Sequence, residues 1–362
     1  MYAESWNPDN FQLYTPDGWI NIEGITKIPS VWLIVLVGPR QVGKTYGILK
    51  YCATHDSTHM LYLRRTEGEF EVITGNPQLN PFLALEDEGI HCDIQRVAKK
   101  VYVWGDYELE NDLPKIKRER GLGISLGTIA QMRGFSGERF TDVFFDEFIP
   151  EKTVVTRRGE GDALLNAYVT INGNRELKGK PPLKMWLAAN AFDISNQILA
   201  SLGLQNELDR MDRRGEEWKI LDGGVFLAFP KSEKIIKKRK QTAMMDFLKK
   251  SKSANNFYET ALNNTFAYDS LELVKPKSIK GYAPYAKYGD MYMWDNGTSL
   301  YVTRSRHKGK VTYGTTPEER VRARSECAEI RLLYLGGFIT FSDTEILLQF
   351  RNYFNLESCI SK

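Results

Sequence analysis

The apolar stretch at residues 31–37 runs without polar alternation, the pattern of a strand buried on both faces. Glycines and a helix-compatible segment follow at once, so the run opens an α/β unit. Further β-rich runs lie at 60–63, 101–104, 124–129, 143–146 and 184–189. Helical segments fall between several of them, which predicts a mainly parallel sheet. After 224–229 the pattern changes: Lys231, Lys234, Lys237, Lys238, Arg239, Lys240, Lys249, Lys250 and Lys252 crowd one polar, helix-compatible stretch, read here as a linker. Beyond it, runs at 291–294 and 299–303 flank Asp295-Asn296-Gly297, a hairpin turn, and 310–313 offers a third strand of a β-meander. Thr316-Pro317-Glu318-Glu319 supplies an N-cap, a first-position proline and a capping-box glutamate, predicting a helix to about Tyr334. Residues 342–345 repeat the capping box before a final helix. Three strands, helix, short strand (338–341) and helix is the order of an RNase H-like core. The expected division is 1–205 for the first α/β domain, 206–255 for the basic linker and 256–362 for the second, smaller α/β domain.

Composition adjusts this picture modestly. A chain of 362 residues, 42% hydrophobic, has material for two packed domains. Lys and Arg total 49 against 46 Asp and Glu, a formal net charge of +3, so bulk charge does not announce a nucleic-acid binder. Any DNA contact must come from local clusters. One cluster is the polar segment 106–120 with Lys115, Lys117, Arg118 and Arg120, either a DNA-facing loop or a surface insertion; another is 237–240, either a solvated helix face or a holder of phosphate, DNA or a structural RNA. Cys52, Cys92, Cys327 and Cys359 are scattered, with no metal-binding spacing, so a reduced chain without structural metal is expected. No apolar run reaches roughly 18 residues and the N-terminus lacks a signal-peptide pattern, so the expectation is a soluble, intracellular protein with no membrane partner.

The chemistry concentrates where strands end. Gly38-Pro39-Arg40-Gln41-Val42-Gly43-Lys44-Thr45 fits the Walker A pattern and stands after a strand and before a helix, the context the motif requires. Its backbone N–H groups and helix N-terminus would cradle phosphates; Lys44 would reach the β- and γ-phosphates of ATP and Thr45 would ligate Mg²⁺. Residues 143–147, Val-Phe-Phe-Asp-Glu, form an apolar strand ending in two carboxylates, a Walker B strand. Asp146 would hold the Mg²⁺ and Glu147 would polarise the attacking water, the arrangement of ASCE-type P-loop NTPases. Asn190, at the end of another apolar run, is either a γ-phosphate sensor or an ordinary turn residue.

In combination and spacing, the Walker A segment, Arg133-Gly134-Phe135-Ser136-Gly137, Asp146-Glu147-Phe148 and Ala189-Asn190-Ala191 resemble the packaging ATPases of tailed phages. The likeness is to the DNA encapsidation proteins of phi-29-like podoviruses, and extends to Leu63-Arg64-Arg65, Asn174-Arg175-Glu176 and Leu335-Gly336-Gly337-Phe338. The resemblance implies a homo-oligomeric ring, five subunits in that family, docked on the portal protein of an empty prohead in the host cytoplasm and threading double-stranded DNA, with a structural packaging RNA an open partner. Arg175 matches the arginine finger given to a neighbouring subunit, and Arg133 a basic residue acting across the same interface. The rivals are a large terminase with an active nuclease, a helicase-like P-loop motor, and an RNA-binding docking module whose ATPase is incidental. Nuclease chemistry needs convergent carboxylates. Here 291–294 carry Met, Tyr, Met and Trp, leaving Asp290 and Asp295 at the ends, with Asp343 and Glu345 at a helix start. The second domain is therefore read as a docking scaffold, with Arg304, Arg306, His307, Lys308 and Lys310 either a binding surface or a solvated loop.

Overall fold

The computed structural model describes residues 6–129, 137–150, 159–190, 196–250, 273–308, 311–335 and 338–356. Leu33–Gly38 form β1, buried at every position, as its unbroken Leu/Ile/Val composition demands. The other strands of the large sheet are β2 (Met60–Arg64), β3 (Cys92–Ala98), β4 (Val101–Glu110), β5 (Leu113–Ser125), β6 (Asp142–Asp146), β7 (Lys184–Asn190), β8 (Trp218–Leu221) and β9 (Val225–Ala228). Their order is β3-β4-β5-β2-β6-β7-β1-β9-β8. Every neighbouring pair from β5 across to β9 is parallel, and antiparallel strands close both edges. The mainly parallel sheet expected from the sequence is present, and β7 lies between the strand of the phosphate loop and that of the paired carboxylates.

The helix Lys44–Thr54 returns over this sheet. Its Ile48, Leu49, Cys52 and Ala53 recur at helical spacing and join Ile34, Leu36, Tyr62, Phe144 and Trp186 in one core. Trp186 also donates its indole N–H to buried Asp142 at 2.8 Å, and burial holds that carboxyl's pKa above the usual range.

Several expected boundaries change. The strand expected at 124–129 ends at Ser125, and Leu126–Ile129 is a helical turn. The polar segment 106–120 is an antiparallel ribbon, β4 and β5, turning at Asn111 and Asp112, both at positive φ. The expected linker 206–255 contains β8 and β9, and β9 pairs in parallel with β1, so this stretch completes the large sheet. The reason is burial: Phe226, Leu227 and Ala228 are fully enclosed, while the lysines that suggested a linker begin after them.

The chain divides into two compact units, one of 1–151, 156–192 and 210–266, the other of 152–155, 193–209 and 267–362. The second unit holds a five-stranded sheet, β10 (Ala283–Tyr288), β11 (Met291–Asp295), β12 (Leu300–Thr303), β13 (Val311–Tyr313) and β14 (Ile339–Phe341), in the order β13-β10-β11-β12-β14. The meander is β10-β11-β12; the run expected as its third strand, β13, pairs in parallel with β10 instead. β14 pairs in parallel with β12. The hairpin at Asp295-Asn296-Gly297 forms, with Gly297 at φ 86°. Thr316 caps Pro317–Glu326 as its sequence implies, accepting from Glu319 N, but the helix stops at Cys327 and a second, Glu329–Leu335, follows. The final helix, Thr344–Phe354, is capped by Asp343 rather than Ser342, because the Asp343 carboxylate accepts Ile346 N–H at 2.9 Å. No helix among the described residues is long and apolar enough to cross a membrane.

Candidate active site

Parallel strands end together on one edge of a sheet, and this sheet collects the Walker residues there. β1 delivers Gly38, and the loop to Gly43 leads into the helix Lys44–Thr54. Gly43 adopts φ +86°, a left-handed conformation suited to glycine, and no side chain caps the helix it begins. Its first backbone N–H groups are thus left for an anion. A Cβ at Gly43 would approach Trp19 Cε3 to 3.4 Å, and Ile20 N–H donates to Val42 O at 3.0 Å, so the N-terminal segment backs the loop. Gln41 (φ 64°) and Glu147 (φ 54°) also occupy the left-handed region, at a cost of about 1–3 kcal/mol each, and both lie at this edge.

Lys44 is buried, and its ammonium donates to Gly38 O at 2.9 Å and Pro39 O at 2.6 Å. Burial pulls its pKa down to about 7; Asp146 opposes the fall, while Arg239 and Arg40 add to it. The Thr45 hydroxyl donates to Asp146 Oδ1 at 2.9 Å. Asp146 Oδ2 faces Tyr62 OH at 3.4 Å and Arg64 Nη2 at 3.3 Å. Glu147 follows on the exposed side, its Oε2 at 3.2 Å from Arg64 Nη1. The surrounding protein raises the Glu147 pKa above the usual carboxylate range, and Arg64 opposes that rise. Asn190 is in register with Gly38, beside the first residue of the phosphate loop and half-buried. Lys44, Thr45, Asp146, Glu147 and Asn190, five positions singled out from sequence, therefore meet at one edge.

Arg175 stands elsewhere. It is buried, and its guanidinium donates to Phe140 O at 2.7 Å, Glu138 O at 3.1 Å and Pro181 O at 3.2 Å. A finger must offer its donors outward to another subunit, whereas the Nε and Nη1 donors are spent on carbonyls of their own chain, so these bonds make Arg175 a clamp in this structure. Arg133, Ala191, Lys252, Lys310, Gly336, Gly337 and Cys359 lie outside the described residues. The basic residues of the β4–β5 ribbon are compensated locally: Lys115 and Lys117 by Glu110, Arg118 by Asp56 at 2.9 Å, and Arg120 by Asp106 at 2.6 Å. In the second unit, Asp343 is consumed as a helix cap, Glu345 pairs with Arg304, and Asp295 accepts Gly297 N–H at 2.7 Å. His307 bonds Met293 O at 2.9 Å and stands edge-on to Trp294.

Sequence reading missed the role of Arg64. Its signals were a strand end and the Leu63-Arg64-Arg65 likeness, and its role becomes legible once β2 is known to lie beside β6, with Leu63 opposite Phe145. Neighbouring Arg65 turns the other way and donates to Phe148 O at 2.7 Å, fixing the segment after the carboxylates.

No protein-family model and no curated protein matches the sequence. Solved structures do match. A chain of the Phi-28 gp11 DNA packaging motor aligns with a TM-score of 0.58 and 16% identity, over 97% of this chain and 98% of that one. A chain of the bacteriophage Phi-29 viral genome packaging motor assembly aligns with a TM-score of 0.62 and 15% identity, over 94% and 99%. The protein thus shares, from end to end, the fold of phage DNA-packaging motor proteins.

Proposed function

We propose that the protein is an ATPase that drives double-stranded DNA into a preformed prohead, acting as a portal-docked ring. The observation that carries the proposal is the meeting of Thr45 and Asp146 at 2.9 Å below an uncapped helix N-terminus, with Glu147 adjoining. A triphosphate in the loop would draw Lys44 off the carbonyls of Gly38 and Pro39 onto its β- and γ-oxygens. The Thr45 hydroxyl and Asp146 carboxylate are hard oxygen donors already in contact, which fits Mg²⁺. These residues would hold the ion, which when bound neutralises charge on the phosphate oxygens. Glu147 orients water and accepts its proton, Arg64 holds both carboxylates in place, and Asn190 is placed beside the loop for the γ-phosphate.

The end-to-end likeness to two packaging motors supports the coupling to DNA. Portal docking, a pentameric ring, a packaging RNA, action in the host cytoplasm and a trans role for Arg133 extend the same reading. The engagement of Asp295 in its turn, Asp343 in its helix cap and Glu345 with Arg304 favours docking over DNA cutting. Glu147→Gln should retain bound ATP and lose hydrolysis by at least ~10²-fold, the scale of lost acid–base assistance. Wild-type hydrolysis should rise with double-stranded DNA in the presence of portal-bearing proheads. Undiminished turnover in the glutamine variant would remove Glu147 from the mechanism. Plasmid cleavage in Mn²⁺ would replace the motor with a nuclease-bearing terminase.

A further inference from the structure

The basic run after β9 is not one solvated face. The helix Glu233–Lys240 is capped by Ser232, whose side chain accepts Ile235 N–H and donates to Gly18 O at 2.7 Å. Lys234 Nζ donates to Pro16 O at 2.7 Å. These bonds fasten the helix to the N-terminal segment that backs the phosphate loop. Ile235 is buried, and Arg239, four residues on, shares its face. Arg239 is half-buried while Lys237, Lys238 and Lys240 are exposed. Its guanidinium lies 3.4 Å from the carbonyl of Arg40, inside the Walker A loop. Arg40, Lys44 and Arg239 thus converge on one loop, and each of the last two is electrostatically disfavoured by Arg40.

Lys44 and Arg239 both donate to carbonyls of the Walker A loop, and a polyphosphate seated in that loop offers the two cations stronger, charged acceptors. We propose that Arg239 is a third cation of the nucleotide site, carried in cis to the triphosphate by the helix Glu233–Lys240. The inference rests on the nucleotide reading above and assigns that site a binding residue outside the Walker motifs. Arg239 makes its phosphate contact from a helix that is not part of the P-loop, so nucleotide occupancy also fixes the position of the exposed lysines beside it.

The test is equilibrium binding of Mg-AMP-PNP to the full chain, with melting temperatures of the nucleotide-free proteins measured alongside. Arg239→Gln should weaken binding by about tenfold or more and flatten its salt dependence, since one charged contact is lost. Arg239→Lys should stay within a few-fold of wild type, and Lys240→Gln should match it. Binding by Arg239→Gln within twofold of wild type overturns the proposal. So does an equal loss in Arg239→Lys and Arg239→Gln accompanied by lower melting temperatures, which would make Arg239 a packing residue. If wild type fails to bind, or Lys44→Ala binds normally, the nucleotide reading itself fails, which is a separate result.

Discussion

Lys44 illustrates how one buried ammonium couples nucleotide binding to pH. In the free protein its pKa of about 7 lies below the ordinary lysine value, because burial disfavours the charge. Between the two values the folded protein has released a proton that the unfolded chain still holds. Its contribution to stability is therefore lost as pH falls from the unfolded toward the folded pKa. Polyphosphate favours the charged form, so nucleotide binding above pH 7 must take up a proton. Calorimetry of Mg-AMP-PNP binding in buffers of different ionisation heat should show uptake approaching one proton at pH 8 and little at pH 6. No uptake at pH 8 would mean that Lys44 stays charged. Arg175 makes a contrasting case, a residue to which the family resemblance gave chemistry and whose geometry shows support. Arg175→Ala orphans the buried Phe140 carbonyl, at about 1–3 kcal/mol, and removes part-buried bonds to the carbonyls of Glu138 and Pro181. The expected outcome is a lower melting temperature, with ATP hydrolysis per folded molecule largely retained; full stability with abolished hydrolysis would restore the finger.

Among the elements, the most demanding contact is between β2 and β5. Trp104 on β4 reaches across to donate its indole N–H to Met60 O at 3.0 Å, and only a glycine at 121 leaves space. A Cβ there would sit 1.9 Å from Met60 O and 2.3 Å from Trp104 Nε1. Gly121→Ala should therefore break the register that carries Arg64 on β2 and leave most of the protein insoluble. A soluble, fully active alanine variant would show that the sheet can shift. Such contacts explain which parts of the fold were legible in sequence. β1, β6 and β7 are apolar runs buried on both faces, so their composition alone marked them, and Lys44, Thr45, Asp146, Glu147 and Asn190 followed because ligand-facing residues stand at strand ends. β3 alternates toward exposure, β8 is partly exposed throughout, and β10 is interrupted by Pro284, so none carried a clean period. Arg64 was visible only as part of a resemblance and Arg239 only within a basic cluster, because what each one faces depends on which strand or loop lies next to it, a property of sheet order rather than of spacing.

At the scale of the whole molecule, chain order and sheet order are far apart. β1, which carries the phosphate loop, has as its neighbours β7 and β9, whose last residues are Asn190 and Ala228. A fragment ending at Gln205 keeps β7 and lacks β9, so one edge of β1 loses its hydrogen-bond partner and its apolar cover. That fragment should aggregate, whereas one ending at Lys250 should be soluble and bind Mg-AMP-PNP; equal solubility and binding would mean that β9 is dispensable. The same interleaving sets a schedule during biosynthesis. At roughly 5–20 residues per second, the wait between the emergence of β1 and that of β9 is on the order of ten to forty seconds. Until β7 emerges, for most of that time, an apolar segment with high β propensity has no strand partner on the nascent chain, and until β9 emerges one of its edges stays open. The protein's yield in a cell is thus set by how well that interval is protected, and slowing translation between residues 38 and 225 should cost more product than slowing it after 228.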